Sequence, residues 1–228
     1  MTGKVLHRIS RGEVERAAGP NPWDLTNEIL YALCREHPNH TDAEAILAKI
    51  NIIGRVYAAA VERRKTIVPG ETGDLFYLSR VVPEIRKSEL DKWIAEAKET
   101  DPESESALDV LVDVHKRTTD LFNRISGLDK RSLASKYLHF HVPELFFIYD
   151  SRAALAIRSL RGSIGDARRP MVSGDREYSN FVARCASLRF LCESEFEITL
   201  SPRKLDNLLL AITRSSLQHE HGAADRIS

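Results

Sequence analysis

Cysteine, long apolar runs and nucleotide-binding motifs are scarce or missing in this 228-residue chain, and each shortage excludes a class of protein. Its three cysteines have no metal-ligand spacing, which predicts reduced thiols rather than a disulfide framework. No apolar run approaches the roughly 20 residues of a membrane helix, and the N-terminus has no apolar signal segment, so we expect a cytoplasmic protein without membrane contact. P-loop, dinucleotide-binding and nucleophile-elbow strings are absent as well.

Charge is balanced over the whole chain but not along it. The formal net charge is zero, whereas Glu71 to Asp113 holds twelve acids and five bases, and Val114 to Pro170 holds eleven bases and five acids. A neutral total can therefore conceal a basic face that attracts a phosphate backbone. The alternative is an ordinary succession of solvated helices, and charge alone does not decide between the two.

Hydrophobic periodicity predicts helices almost throughout the chain. A first helix starts at Asn21, and a capping box of Thr41 and Glu44 precedes a long helix that runs to about Arg64. The best strand signal, over residues 198–200, is weak. We expect an all-α protein of roughly eight to ten short helices. The pattern further predicts an N-terminal extension, one helical domain and a polar tail, over residues 1–20, 21–217 and 218–228.

The segment Gly127–Arg152, GLDKRSLASKYLHFHVPELFFIYDSR, is the most informative part of the chain. A glycine turn opens a short helix, a proline-containing loop follows, and an apolar run ends at Asp150, directly before a second helix pattern. Such an acid is either an ordinary helix cap or a catalytic carboxylate that the helix dipole keeps ionised. The two interpretations are not exclusive, and the function depends on which of them applies.

This segment resembles the helix-hairpin-helix DNA glycosylases, in which a hairpin of the form LPGVGxKTA is followed by a helix, a proline loop and an aspartate. Gly127 falls at the first hairpin glycine, Asp150 follows 23 residues later, and residues 21–30 are similar to the family's early helix. The resemblance implies two packed helical subdomains with a cleft between them. It also implies a monomer that flips a damaged or modified base out of double-stranded DNA and needs no cofactor.

The family resemblance gives Asp150 the catalytic role. Breaking an N-glycosidic bond builds positive charge on the sugar, which a fixed carboxylate stabilises while it orients water. The lysine nucleophile of the lyase-type members aligns with Arg131, which stays protonated and cannot form a Schiff base. A monofunctional hydrolase is therefore expected. If the register is shifted by a few residues, Lys136 becomes the candidate nucleophile.

Other site residues follow from their positions. Arg131, Ser135 and His139 lie at i, i+4 and i+8, hence on one helix face. In the family, the matching positions line the pocket for the everted base, although a solvated stripe is the alternative. The residues assigned to DNA contact are Gly127, Lys130, Arg152 and, in a basic glycine-containing loop, Arg168 and Arg169.

Two departures from the family favour a different function. Asp129 replaces the second hairpin glycine and puts an acid where a phosphate would bind, and arginine replaces the lysine. Of the four iron–sulfur cysteines, only Cys185 and Cys192 have conceivable counterparts. The pair His139 and His141 lacks a further ligand for zinc, so no metal is expected. A non-catalytic helical module that binds DNA or a protein partner therefore remains the alternative.

Overall fold

The structure, a computed structural model, describes residues 8–63, 73–160, 162, 164 and 174–224. Helices make up 72% of it and no β-strand occurs in these ranges, which confirms the all-α prediction. A π-helical turn, Tyr77–Val81, joins α4 to α5. The α-helices are α1 (Arg11–Ala18), α2 (Asp24–Glu36), α3 (Ala43–Val56), α4 (Gly73–Phe76), α5 (Val82–Lys87), α6 (Leu90–Glu99), α7 (Ala107–Ser126), α8 (Arg131–His141), α9 (Ser151–Ser159), α10 (Arg176–Phe196) and α11 (Pro202–Ala224).

Helix α3 differs from its prediction at both ends. Its N-cap is Asp42 rather than Thr41, because the Asp42 carboxylate accepts the N–H of Ala45 at 2.8 Å. The helix ends at Val56, well before the predicted position, because Ala58 adopts a left-handed conformation with φ of 50°. The shorter helix leaves the residues after it free to line a cleft.

The helices pack around two central ones. Helix α8 is surrounded by α2, α3 and α7, while α5 and α6 pack on α7. Helix α11 is flanked by α1 and α9, and α10 contacts α1, α7 and α9. One cluster of buried apolar side chains runs through both groups. No helix in the described ranges is long and apolar enough to cross a membrane.

The predicted outer segments at both ends of the chain take part in helices. Residues 1–20 were expected as an extension, yet they contain α1, which buries Val14 and Ala17 and packs on α11 and α10. Helix α11 continues to Ala224, inside the segment predicted as a polar tail. Burial of the apolar face of α1 makes it part of the fold.

Candidate functional site

Helices α7 and α8 form a hairpin that is joined by a short turn. Gly127 ends α7 in the left-handed conformation, with φ of 73°, and its N–H donates to the carbonyl of Asn123 at 2.7 Å. Glycine takes this conformation without the steric cost that a side chain adds. The Asn123 amide also donates to Asp129 at 2.8 Å. Gly127 is exposed, whereas Lys130 donates a hydrogen bond to the backbone carbonyl of Arg63.

Ser135 fastens the loop before α9 to α8 and does not face an open pocket. The residues from Leu133 to His141 are all buried, because α8 is enclosed by other helices instead of being half exposed. The Ser135 hydroxyl accepts the N–H of Tyr149 at 3.0 Å. The predicted base-pocket role of Ser135 is corrected accordingly, because its hydroxyl is bonded to Tyr149, the residue that directly precedes Asp150.

His139 is likewise buried and fully bonded. Its Nδ1–H donates to the carbonyl of Phe146 at 2.9 Å, and its Nε2 accepts from the Tyr31 hydroxyl at 2.7 Å. Burial lowers the pKa of His139 to about 4, so the ring is neutral at pH 7. The predicted base-pocket role is corrected here as well, because both ring nitrogens are hydrogen-bonded to other residues of the protein.

Arg131 lies in a different groove from Asp150. Its guanidinium donates to the carboxylate of Asp175 and lies within 3.6 Å of Asp129 and 3.7 Å of Glu177. These carboxylates raise its pKa against the effect of burial, and the side chain helps to line a groove with Lys116. The predicted contact between Arg131 and a base beside Asp150 is therefore corrected, because three acids hold the guanidinium in a groove that Asp150 does not line.

Asp150 is the N-cap of α9 and keeps one oxygen for other contacts. Its Oδ1 accepts the N–H groups of Arg152 and Ala153, each at 2.9 Å. Its Oδ2 lies 3.6 Å from Lys136 Nζ and 3.7 Å from the Arg152 guanidinium. Burial alone would raise the pKa of Asp150, but the Lys136 charge and the two N–H donors outweigh it, so the pKa is lowered. The carboxylate is ionised at neutral pH.

Lys136 supports Asp150 from inside the protein. The side chain is only 2% exposed, and burial lowers its pKa. Its ammonium donates to the hydroxyl of Ser132 at 2.9 Å and to the carbonyl of Tyr57 at 3.4 Å. Lys136 is not among the residues that line the neighbouring cleft. From the sequence, Lys136 is a candidate only for a shifted register, whereas in the structure it lies directly behind the carboxylate.

A cleft of about 230 Å³ opens beside Asp150. One wall comes from the start of α2 and the residues after α3, and the other from the start of α9 and one face of α11. The residues that line it are Asn21, Trp23, Thr26, Asn27, Val56, Tyr57, Ala58, Asp150, Arg152, Arg203, Asp206, Asn207, Leu210 and Arg214. The Asp150 side chain is thus 17% exposed and lines this groove, and it is also a helix cap.

Sequence reasoning missed the wall from α11. The lining positions 203, 206, 207, 210 and 214 recur at helical spacing and therefore share one face. The sequence does mark this face, because Arg203, Asp206 and Asn207 are polar residues in a segment otherwise rich in leucine. Nothing in the sequence indicates that this face meets Asp150, which lies more than fifty positions earlier.

Two side chains at the mouth of the cleft are exposed. The Arg152 side chain is 62% exposed, and Trp23 is 59% exposed on the opposite wall. Arg168 and Arg169 lie outside the residues that the structure describes. Among the described residues, no group of three or more His, Cys, Asp or Glu side chains is arranged to hold a metal ion.

Comparisons of the chain with protein-family models, with curated proteins and with solved structures found no match.

Proposed function

We propose that this protein is a DNA glycosylase that hydrolyses the N-glycosidic bond of a damaged or modified base in double-stranded DNA. The observation that carries the proposal is the ionised Asp150 carboxylate, which faces a cleft at the N-terminus of α9 with Lys136 behind it. The α7–α8 hairpin with its left-handed Gly127, followed by a helix, a proline loop and this aspartate, supports a glycosylase-like helical fold.

The chemistry needs one fixed negative charge. As the bond between C1′ and the base lengthens, positive charge grows on the deoxyribose, and the Oδ2 atom of Asp150 stabilises it. Lys136 and the helix N-terminus hold the carboxylate ionised and in place, so little reorganisation is required when the charge appears. A water molecule then adds to C1′, and Asp150 orients it.

Lys136 acts as a positioning residue in this proposal, and the enzyme is monofunctional. An attack on C1′ would require the Lys136 amine to enter the cleft. The amine is instead buried and hydrogen-bonded to Ser132 and Tyr57. Breaking those contacts and moving past Asp150 would deprive the carboxylate of its buried counter-ion and leave only the exposed Arg152 beside it.

The size of the cleft suits one base. Its volume of about 230 Å³ lies just below the roughly 300–1,000 Å³ of pockets that bind drug-sized molecules. Arg152 at the mouth is placed to contact a phosphate, and Trp23 presents an aromatic surface to the DNA. The groove is therefore proposed to admit a single everted nucleotide.

The test is a panel of duplex oligonucleotides, each carrying one altered base such as uracil, hypoxanthine, 8-oxoguanine, N7-methylguanine or a hypermodified pyrimidine. Abasic sites are scored by alkaline strand cleavage, and borohydride is added in parallel to trap any Schiff base. We expect abasic sites from at least one duplex and no trapped complex. Duplex binding without base release from any member would contradict the enzyme and support a non-catalytic DNA-binding module on the same fold.

A further inference from the structure

Asp206 is a second carboxyl group in the same cleft, and its setting is unlike that of Asp150. It is 3% exposed. Its Oδ2 accepts from the Arg203 guanidinium at 2.7 Å, while its Oδ1 is buried without a hydrogen-bond partner among the described residues. A buried acceptor without a partner is costly, and such atoms mark places where a ligand or a proton belongs.

The charges around Asp206 come from several elements. The pKa of Asp206 is raised to about 6, because burial and the Asp150 charge raise it by more than the nearby cations lower it. The pKa values of two carboxyl groups in one cleft are thus moved in opposite directions, which is the arrangement that separates an acid from a base. The groups that interact with Asp206 are Arg203 on α11, Asp150 and Arg152 at the start of α9, Lys136 on α8, Tyr57 after α3 and Cys185 on α10.

We infer that Asp206 is the acid that protonates the leaving base, and that the substrate is a neutral base with hydrogen-bond acceptors on its edge. This inference rests on the proposed glycosylase function and adds to it a second catalytic residue and a substrate class. Asp150 acts on the sugar and Asp206 acts on the base.

Three donors beside Asp206 support the substrate class. The Asn27 and Asn207 Nδ2 atoms and the Arg203 Nε atom are buried and without hydrogen-bond partners among the described residues, and all three side chains line the cleft. The orientation of Asn27 is set by the Tyr57 hydroxyl, which donates to its Oδ1 at 2.6 Å. A base edge that carries carbonyl or ring-nitrogen acceptors would satisfy such donors.

The cleft disfavours a base that is already positively charged. Arg152, Arg203 and Arg214 all line it, against the two carboxyl groups Asp150 and Asp206. When Asp206 carries its proton, the lining is cationic overall, and a cationic alkylated base would bind more weakly than a neutral one. Such a base would also need no acid, because it leaves as a neutral molecule.

The proposed step is balanced. The electron pair of the bond between C1′ and the base nitrogen goes to the base, which takes the proton of Asp206. Water adds its oxygen to C1′ and gives one proton to Asp150. The products are the free base and an abasic sugar, and exchange with solvent restores both carboxyl groups.

The first experiment follows the parent protein alone. Single-turnover base release from the best neutral member of the panel is measured between pH 5.5 and 8.5, with circular dichroism as a check on folding. We expect the rate to fall about tenfold per pH unit above pH 6, as the acid loses its proton. A rate that stays level or rises from pH 6 to 8.5 would overturn the acid role.

The second experiment compares Asp206→Asn with the parent on two duplexes, one with that neutral base and one with N7-methylguanine, whose base is already cationic. Asparagine keeps an acceptor for Arg203 but has no proton to give. At pH 6 we expect a loss of about 100-fold or more on the neutral base and less than about fivefold on N7-methylguanine. Unchanged release of the neutral base, or equal losses on both duplexes, would overturn the inference and leave the glycosylase function standing. Failure of the parent on every duplex would instead reject the function itself.

Discussion

The ammonium group of Lys136 lies 3.6 Å from the Oδ2 atom of Asp150, and the two residues belong to different helices joined by a loop that contains Pro143. Lys136 is buried in α8, whereas Asp150 opens α9 and reaches the cleft. A charge held inside the protein therefore sets the protonation state of a carboxylate at the surface of a groove.

Asp150→Asn should abolish base release while DNA binding stays equal or becomes tighter. Asparagine still caps α9, but it has no charge to stabilise the sugar in the transition state. We expect a loss of at least about 100-fold in single-turnover rate. Asp42→Asn is the matched control, because Asp42 caps α3 in the same way and does not line the cleft. Asp150→Asn with parental activity would remove this carboxylate from the mechanism.

Lys136→Gln should impair activity most strongly at low pH. Without the neighbouring positive charge the pKa of Asp150 rises, so a smaller fraction of the carboxylate is ionised in acid. The loss of rate should be larger at pH 5.5 than at pH 8. The difference should be about tenfold if the pKa of Asp150 rises to about one unit above pH 5.5. Lys136→Arg, which keeps the charge, should recover part of the activity. An equal loss at all pH values would assign Lys136 to packing alone.

Arg152→Gln should weaken DNA binding and reduce its dependence on salt. The guanidinium is 62% exposed and can reach a phosphate, and each neutralised phosphate contributes about 0.9 to the slope of log K against log salt concentration. Lys130→Gln should lower this slope less than Arg152→Gln does, because the ammonium of Lys130 is engaged by the carbonyl of Arg63. Fluorescence anisotropy of a labelled duplex between about 50 and 200 mM salt measures both variants. A slope that falls for Lys130→Gln and not for Arg152→Gln would reverse the two assignments.

The fold should lose stability in acid through its buried histidines. Burial lowers the pKa of His115 and of His139 to about 4, from an ordinary value of 6.5. Since the unfolded chain binds these protons first, the stabilisation is complete above pH 6.5 and is lost as the pH falls toward 4. Each histidine should cost about 2 kcal/mol of unfolding free energy between pH 7.5 and 5. Urea titrations at the two pH values measure this.

The matched variants for that measurement are His139→Gln and His37→Gln. The first should show a smaller fall in unfolding free energy between the two pH values than the parent does. His37 is exposed at the end of α2, so its replacement should leave the fall unchanged. An equal fall in unfolding free energy in the parent and in His139→Gln would contradict the lowered pKa of His139.

Asp206→Asn should stabilise the protein at alkaline pH. The pKa of Asp206 is raised to about 6, so its contribution to stability is complete below its ordinary pKa of 3.8 and is lost as the pH rises through 6. Relative to the parent, the variant should gain up to about 3 kcal/mol between pH 4 and pH 8. Thermal and urea unfolding at both pH values would detect it. A constant difference between the two proteins would mean that Asp206 does not titrate in this range.

Local signals in the sequence were sufficient for part of the site. Gly127 closes a helix and Asp150 opens one, and both facts follow from the conformational preferences of these residue types. The predicted end of α3 was wrong, because nothing in the local pattern indicates the left-handed conformation of Ala58. Helix type was thus predictable where a residue's own chemistry decides it.

The wall of the cleft was not predictable, because it depends on tertiary contacts. The prediction that Ser135 and His139 line a base pocket required one side of α8 to be open. The structure encloses that helix, and their polar atoms are bonded to the loop after it and to α2. The polar face of α11 reaches Asp150 only because α9 packs against α11.

The bond from Tyr149 to Ser135 attaches the residue before Asp150 to a helix that has no open side. Substitutions near the carboxylate must therefore respect a close-packed interior, whereas positions 207, 210 and 214 line the cleft from α11. In a protein with the proposed function, changes of side chain along α11 would alter which nucleotide the cleft accepts and leave the sugar chemistry as it is.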